Sequence, residues 1–320
     1  MRKLLIANAI ISIILIAIIL YVVGFDEVVA ELQNISLEFL ALGILALFGL
    51  DLLMSYRIKI LLEGAGEPVA FLKILKSHFV GMLMADFTPS RTGYFATAAA
   101  LRYNYDVPSE KALLSIFGPQ IFDFVFKMVI GSLAIIYLMY VFIGTGDGLI
   151  FISGALLILL IVAVMVLILF SRRFLRLFSF AERLPILSRL YNVVIKMQEN
   201  SHVVVKKTPH ILVLILLSWV CRAFSWFFAA RSVGITLDTA FPEIFVYFFL
   251  QPLITMLEFI PSPTIAGLGL SEGGSTLVLS LLGVSPATAA LFALVARFQI
   301  TLLHLPAVPE ALNVPKGVRL

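Results

Sequence analysis

The sequence predicts an all-α polytopic membrane protein: six spanning helices plus two re-entrant helical hairpins in an inverted-topology repeat. Three observations carry that prediction. Of the 320 residues 61% are hydrophobic and 13% charged, with a mean hydropathy of +1.09, which is more apolar surface than a soluble domain can hide. Leu4–Val23 and Leu149–Phe170 are uncharged runs of 20 and 22 residues, and about 20 residues suffice to cross the hydrocarbon core. Proline and glycine also break two further apolar stretches, at Thr88–Gly93 and within Phe259–Gly274. Irregular backbone at bilayer depth is tolerated only inside protein or beside a water-filled cavity.

The elements follow in order. Leu4–Val23 is a span, and Tyr21 to Phe25 lack the small-x-small pattern of a cleavage site, so it reads as a retained anchor. Arg2 and Lys3 precede it, whereas the next loop holds Asp26, Glu27, Glu31 and Glu38 without a basic residue. Basic loops stay cytoplasmic, so the N-terminus is expected inside. Leu37–Tyr56 then leads back to Arg57, Lys59, Lys73 and Lys76, and residues 171–207 carry eight Lys/Arg against Glu182 and Glu199. Both loops belong inside by the same rule. A full crossing by Leu72–Phe87 before the spans Ala112–Ile143 and Leu149–Phe170 would put the second loop outside. A re-entrant hairpin over 72–103, turning at Thr88–Gly93, restores the charge asymmetry.

Ile211–Ala230 next runs outward, residues 244–282 form a second hairpin entering from outside, and Ala287–Val308 brings Lys316 and Arg319 inside. The halves 1–145 and 146–320 then each read span, span, hairpin, span, in opposite orientations, with 171–207 as a cytoplasmic basic segment in the second. Short parallels agree: Phe87–Ser90 with Ile260–Pro263, and Asp106–Ser109 with Gly283–Pro286. The basic segment alternates Phe174, Leu175, Leu177, Phe178 and Phe180 with arginines, a pattern that either attracts anionic lipid headgroups or only fixes topology.

Charged residues inside spans are expensive, so each is a functional candidate weighed against pairing and snorkelling. Asp123 and Lys127 stand four apart on one helix face and read as an ion pair. Asp51 and Arg57, near a helix end, are explained by snorkelling or a local pair. Arg91 at the first hairpin tip needs a carboxylate or a phosphate: it either pairs with Asp86 or Glu272, or binds an anion. Arg222 and Arg297 lie mid-helix and either face the same cavity or bridge to Glu258 or Glu272. Thr92, Gly93 and Gly269 start outgoing hairpin arms, whose free N–H groups favour anions. Glu272 is either a helix cap beside Ser271 or, with Glu258, a proton-carrying coupling group. His78 and His304 read as isolated polar contacts, so no metal is expected. The single cysteine, Cys221, excludes an internal disulfide or cysteine cluster. No catalytic, nucleotide-binding or cofactor motif occurs, and no nucleic-acid partner is expected.

Taken together, Arg57, the segment Thr88-Pro89-Ser90-Arg91-Thr92-Gly93 and the stretch Ile260–Glu272 resemble the flippase-like transmembrane domain of lysylphosphatidylglycerol synthases, as a stand-alone member. In that family the first motif often continues with glutamate and arginine, where this chain has Tyr94 and Thr97, and the late stretch reads Leu-Ser-Glu instead of Val-Arg-Glu. The resemblance implies lipid transport, as do the inverted halves and midplane charge. The expected substrate is an anionic lipid or polyprenyl-phosphate-linked lipid, moved between leaflets of the cell membrane with a proton as candidate coupling ion. In this reading the chain is not an enzyme and is able to form a homo-oligomer. An intramembrane enzyme or enzyme accessory acting on lipid headgroups, or a small-solute carrier, is the alternative.

Overall fold

The computed structural model describes residues 2–143, 201–239, 241–259 and 264–313, with isolated positions 167, 171, 173 and 195. The expected span Leu149–Phe170, most of the basic segment 171–207 and the turn at 260–263 lie outside the described residues. Within them the chain is helical, without a strand. In order it forms α1 (Arg2–Val23), α2 (Phe25–Leu32), α3 (Leu37–Gly64), α4 (Phe71–Asp86), a 3-10 segment (Pro89–Phe95), α5 (Ala96–Tyr105) and α6 (Ser109–Ile143). Then come α7 (Ser201–Ser232), α8 (Glu243–Phe259), α9 (Leu270–Leu281), α10 (Pro286–His304), a 3-10 turn (Leu305–Ala307) and α11 (Val308–Asn313).

Four helical stretches are long and apolar enough to cross a membrane, in α3, α6, α7 and α10 through α11. The pair α1 and α2, bent by 90° at Gly24, brings the count to as many as five. This is a multi-pass membrane protein, and its surface agrees: Leu45, Val213 and Phe298 are more than half exposed, while carboxylates and guanidiniums fill the interior. Helix starts follow local chemistry. Pro286 occupies the first turn of α10, where its missing N–H costs nothing, and Ser285 Oγ accepts the Thr288 N–H at 3.2 Å. One boundary departs from the sequence reading. α3 continues past Tyr56 to Gly64, because Arg57 and Lys59 are good helix formers.

α3 and α7 run antiparallel: Ser36 N–H donates to Ser232 O (2.8 Å) at one end, and Ile60, Leu61, Val203 and Ile211 share a cluster at the other. Two short helical pairs fold back on themselves between these ends. α4 and α5, of 16 and 10 residues, are each too short to cross alone. They pack so closely that a Cβ on Gly81 would strike the Thr97 side chain. Their open end, where Lys73 lies over the Tyr105 ring (5.1 Å), is the Gly64 end of α3, which the Lys111–Glu67 pair (2.7 Å) marks as well. α8 and α9 make the second pair, and a Cβ on Gly274 would lie 2.6 Å from Leu257 Cδ1. This pair opens at the opposite end, where Arg231 binds Glu243 (2.6 Å).

The two tips meet in the middle of the molecule. Ala266 N–H donates to Thr88 O at 3.1 Å. Both tips hold a non-glycine residue in the left-handed region, Arg91 at φ 55° and Ala266 at φ 48°, which costs about 1–2 kcal/mol each. Apolar clusters cap the two ends, around Trp226, Tyr247 and Phe292 on one side and around Ile58, Leu62 and Leu101 on the other. Between them lies a charged layer.

Candidate functional site

The charged layer contains a continuous chain of hydrogen-bonded and ion-paired groups drawn from six elements. Asp51 of α3 faces two histidines, with Oδ1 3.1 Å from His78 Nε2 and Oδ2 3.2 Å from His304 Nε2. His304 Nδ1 is 2.8 Å from Asp86 Oδ2, and Arg91 Nη2 donates to the other oxygen of Asp86 at 3.0 Å. Arg91 Nη1 donates to Glu258 Oε2 at 2.6 Å. Glu258 lies 3.6 Å from Arg297 Nη2, whose Nε donates to Glu272 at 2.7 Å. A buried ion is tolerable only when paired and hydrogen-bonded, and each member of this chain satisfies the next.

Arg91 is therefore held by two carboxylates, Asp86 and Glu258, and Arg297 by Glu258 and Glu272, with Ser271 Oγ (2.7 Å) and Ala266 O (3.4 Å) also accepting from its Nη2, while its buried Nη1 has no hydrogen-bond partner. Glu272 Oε2 accepts the Gly269 N–H at 2.6 Å, so the start of α9 is capped by its own carboxylate. At the first tip Gly93 N–H donates to Thr88 Oγ1 (2.6 Å), and Thr92 Oγ1 donates to Pro89 O (3.0 Å) while the residue itself is exposed. Gly93 is glycine for a steric reason: a Cβ there would run into the Met84 carbonyl. Both helix starts thus carry the chain's own acceptors.

Beside this chain lies a cavity of about 70 Å³ between α3, α4, α6, α7 and α8, with room for several waters or a phosphate-sized anion. Its charged lining consists of Arg57, Arg91, Arg222 and Lys127 against Asp123 and Glu258. Lys127 is tied to Asp123 (2.8 Å), and Trp219 Nε1 donates to the same carboxylate (2.9 Å). Among the described residues no carboxylate lies within 4.0 Å of Arg57 or Arg222. Arg57 is only 3% exposed and its Nε has no hydrogen-bond partner, while Arg222 lies over the Trp219 ring at 5.5 Å. Gln120 Oε1, also on the cavity wall, is likewise buried without a partner. Tyr94 joins the two systems: it lines the cavity beside Arg57, and its hydroxyl is 3.4 Å from His78 Nδ1.

The structure brings Arg91, Arg222, Arg297, Glu258 and Glu272 into one region, and sets Thr92, Gly93 and Gly269 at the tips. Sequence reasoning discounted Arg57 as a snorkelling side chain, and the continuation of α3 for seven residues beyond it turns its guanidinium inward instead. It also read His78 and His304 as isolated, although both meet Asp51. His304 and Asp51 are 253 residues apart, so no local spacing signals their contact. Among the described residues no cluster has a metal-binding arrangement. A search of curated proteins found no match. The sequence model of a family described as "Lysylphosphatidylglycerol synthase TM region" matches residues 5–307.

Proposed function

We propose that this chain, which belongs to the lysylphosphatidylglycerol synthase TM-region family, translocates an anionic lipid or polyprenyl-phosphate-linked lipid between the leaflets of the cell membrane. One observation carries the reading: a cavity between helices presents two guanidiniums, Arg57 and Arg222, that lack a carboxylate partner among the described residues. A buried guanidinium fork matches the oxygens of a phosphate group, and an anion would complete both. The headgroup occupies the cavity while the acyl or prenyl chains stay in the bilayer. Arg91, Arg297 and the tip residues Thr92, Gly93 and Gly269 shape the floor of the path, with Glu258 and Glu272 holding the arginines in place.

In this reading the two helical pairs are re-entrant hairpins of an inverted-topology repeat with six spans, both termini are cytoplasmic, and transport proceeds by movement of one half against the other. No chemistry is done on the substrate. Leaflet exchange of fluorescent phospholipid and polyprenyl-phosphate probes in reconstituted vesicles tests the proposal. Arg57→Ala and Arg222→Ala are each expected to weaken headgroup binding by about 1.5–3 kcal/mol, ten- to hundredfold, and to slow exchange accordingly, whereas Arg102→Ala, on the exposed face of α5, leaves it unchanged. A small-anion carrier is the second reading, favoured by the modest cavity of about 70 Å³. Uptake of a free anion without exchange of any lipid probe would establish it instead.

A further inference from the structure

His304 sits between two carboxylates, one at each ring nitrogen: Asp86 at 2.8 Å from Nδ1 and Asp51 at 3.2 Å from Nε2. A neutral imidazole carries a single N–H, so its other nitrogen would turn a lone pair against a carboxylate oxygen. The arrangement is satisfied only by one further proton, either on the ring or on one of the acids. His78 differs, because Asp51 accepts from its Nε2 (3.1 Å) while the Tyr94 hydroxyl is placed to donate to Nδ1 (3.4 Å), and one neutral tautomer serves both.

Charge balance says when that proton is welcome. Among the described residues the buried middle holds Asp51, Asp86, Asp123, Glu258 and Glu272 against Arg57, Arg91, Arg222, Arg297 and Lys127. It is neutral when both histidine rings are neutral. A proton at His304 adds one positive charge, and a monoanion in the cavity cancels it; either alone leaves an uncompensated charge in a poorly solvated interior. The two sites touch: Arg91 lines the cavity and shares Asp86 with His304, and Tyr94 lies between Arg57 and His78. Other charges stand apart. Lys76 and Glu310 pair with each other (3.1 Å) at well-exposed positions, and Asp26 and Glu27 of α2 are exposed.

We propose that Asp51, His304 and Asp86 form a one-proton binding site, and that its occupancy is linked to that of a monoanionic phosphate group in the Arg57–Arg222 cavity. This rests on the anion reading of the cavity given above. Proton and anion raise each other's affinity by the same factor, as linkage requires. The coupling group is then a histidine held by two aspartates, and Glu258 and Glu272 are fixed partners of arginines.

Calorimetry on the full chain in detergent, in two buffers of different ionisation heat, measures protons taken up per anion bound. The probes are dihexanoyl phosphatidylglycerol and dimethyl phosphate, phosphodiesters that do not titrate near neutral pH, with dihexanoyl phosphatidylcholine as the zwitterionic control. We expect about one proton per anion for the native chain and near zero for His304→Gln and Asp86→Asn. Affinity for the diacyl probe alone identifies a lipid headgroup as the source of the phosphate, and affinity for both identifies the phosphate group itself. Anion binding by the native chain without proton uptake overturns the linkage. Failure of both anions to bind overturns the cavity reading, and the proton site is then decided separately by ring-nitrogen NMR of isotope-labelled histidine. As the pH is lowered, a doubly protonated ring that is missing in His304→Gln supports the site; protonation confined to the exposed His202 and His210, with no buried carboxylic acid in the infrared spectrum, overturns it.

Discussion

Removing an arginine from this interior has two different consequences, depending on what it leaves behind. Arg91→Ala takes from the buried Asp86 and Glu258 the guanidinium they share and is expected to destabilise the fold by about 3–5 kcal/mol, the usual cost of breaking a buried pair. Arg222→Ala strands no carboxylate within 4.0 Å among the described residues, so its thermal unfolding in detergent should stay within about 1 kcal/mol of the native chain while anion affinity falls. Comparable melting losses for the two variants would contradict this division. At this scale the sequence was legible in part. Charged residues at span depth are conspicuous, and Arg91, Arg222, Arg297, Glu258 and Glu272 stood out for that reason. Which of them hold each other and which remain available depends on side-chain reach across α3, α8 and α10, and no spacing along one helix encodes that. Arg57 and His304 were passed over because each has an ordinary explanation until its neighbours from distant elements are known.

Packing of short helices rests on the residues that have no side chain to spare. Gly81 of α4 lets α5 approach until a Cβ would meet Thr97, so Gly81→Ala should destabilise by about 1–3 kcal/mol through overpacking. Gly49 of α3 has only Cys221 Sγ near its Cβ position, at 3.6 Å, an ordinary contact. Gly49→Ala should therefore be neutral or stabilise by up to about 1 kcal/mol from helix propensity. The two substitutions acting with opposite sign in one melting series checks the packing of α4 on α5. The breaks that made the tips visible in the sequence, Pro89 and Gly93 in one and Gly267 to Gly269 in the other, are the same features that shape them in the structure. The helix ends were less legible: hydropathy locates apolar runs, but a helix continues into charged residues whenever these are good helix formers, as α3 does to Gly64.

For the molecule as a whole, the sequence pattern of apolar runs announced a multi-pass helical protein, and orientation followed from loop charge alone. That orientation has a direct test in a chain lacking Cys221: a cysteine at Ser285 should label from outside and one at Glu63 from inside, both positions being exposed. Labelling of both from the same side would overturn the arrangement of termini. The charged middle was legible from arginines placed mid-helix, but which apolar residues cap it at either end was not, because the caps arise from several segments meeting at one depth. The contact between the tips carries a consequence for motion. Thr88 O and the Ala266 N–H are tied across the centre at 3.1 Å, and Arg91, three residues from Thr88, grips Glu258 on the far side of the same contact. A displacement that parts the tips must break both ties together, and one that preserves them must carry the two helical pairs as a single body. In the translocation proposed above, this makes the centre a clasp, whose two ties part together or not at all.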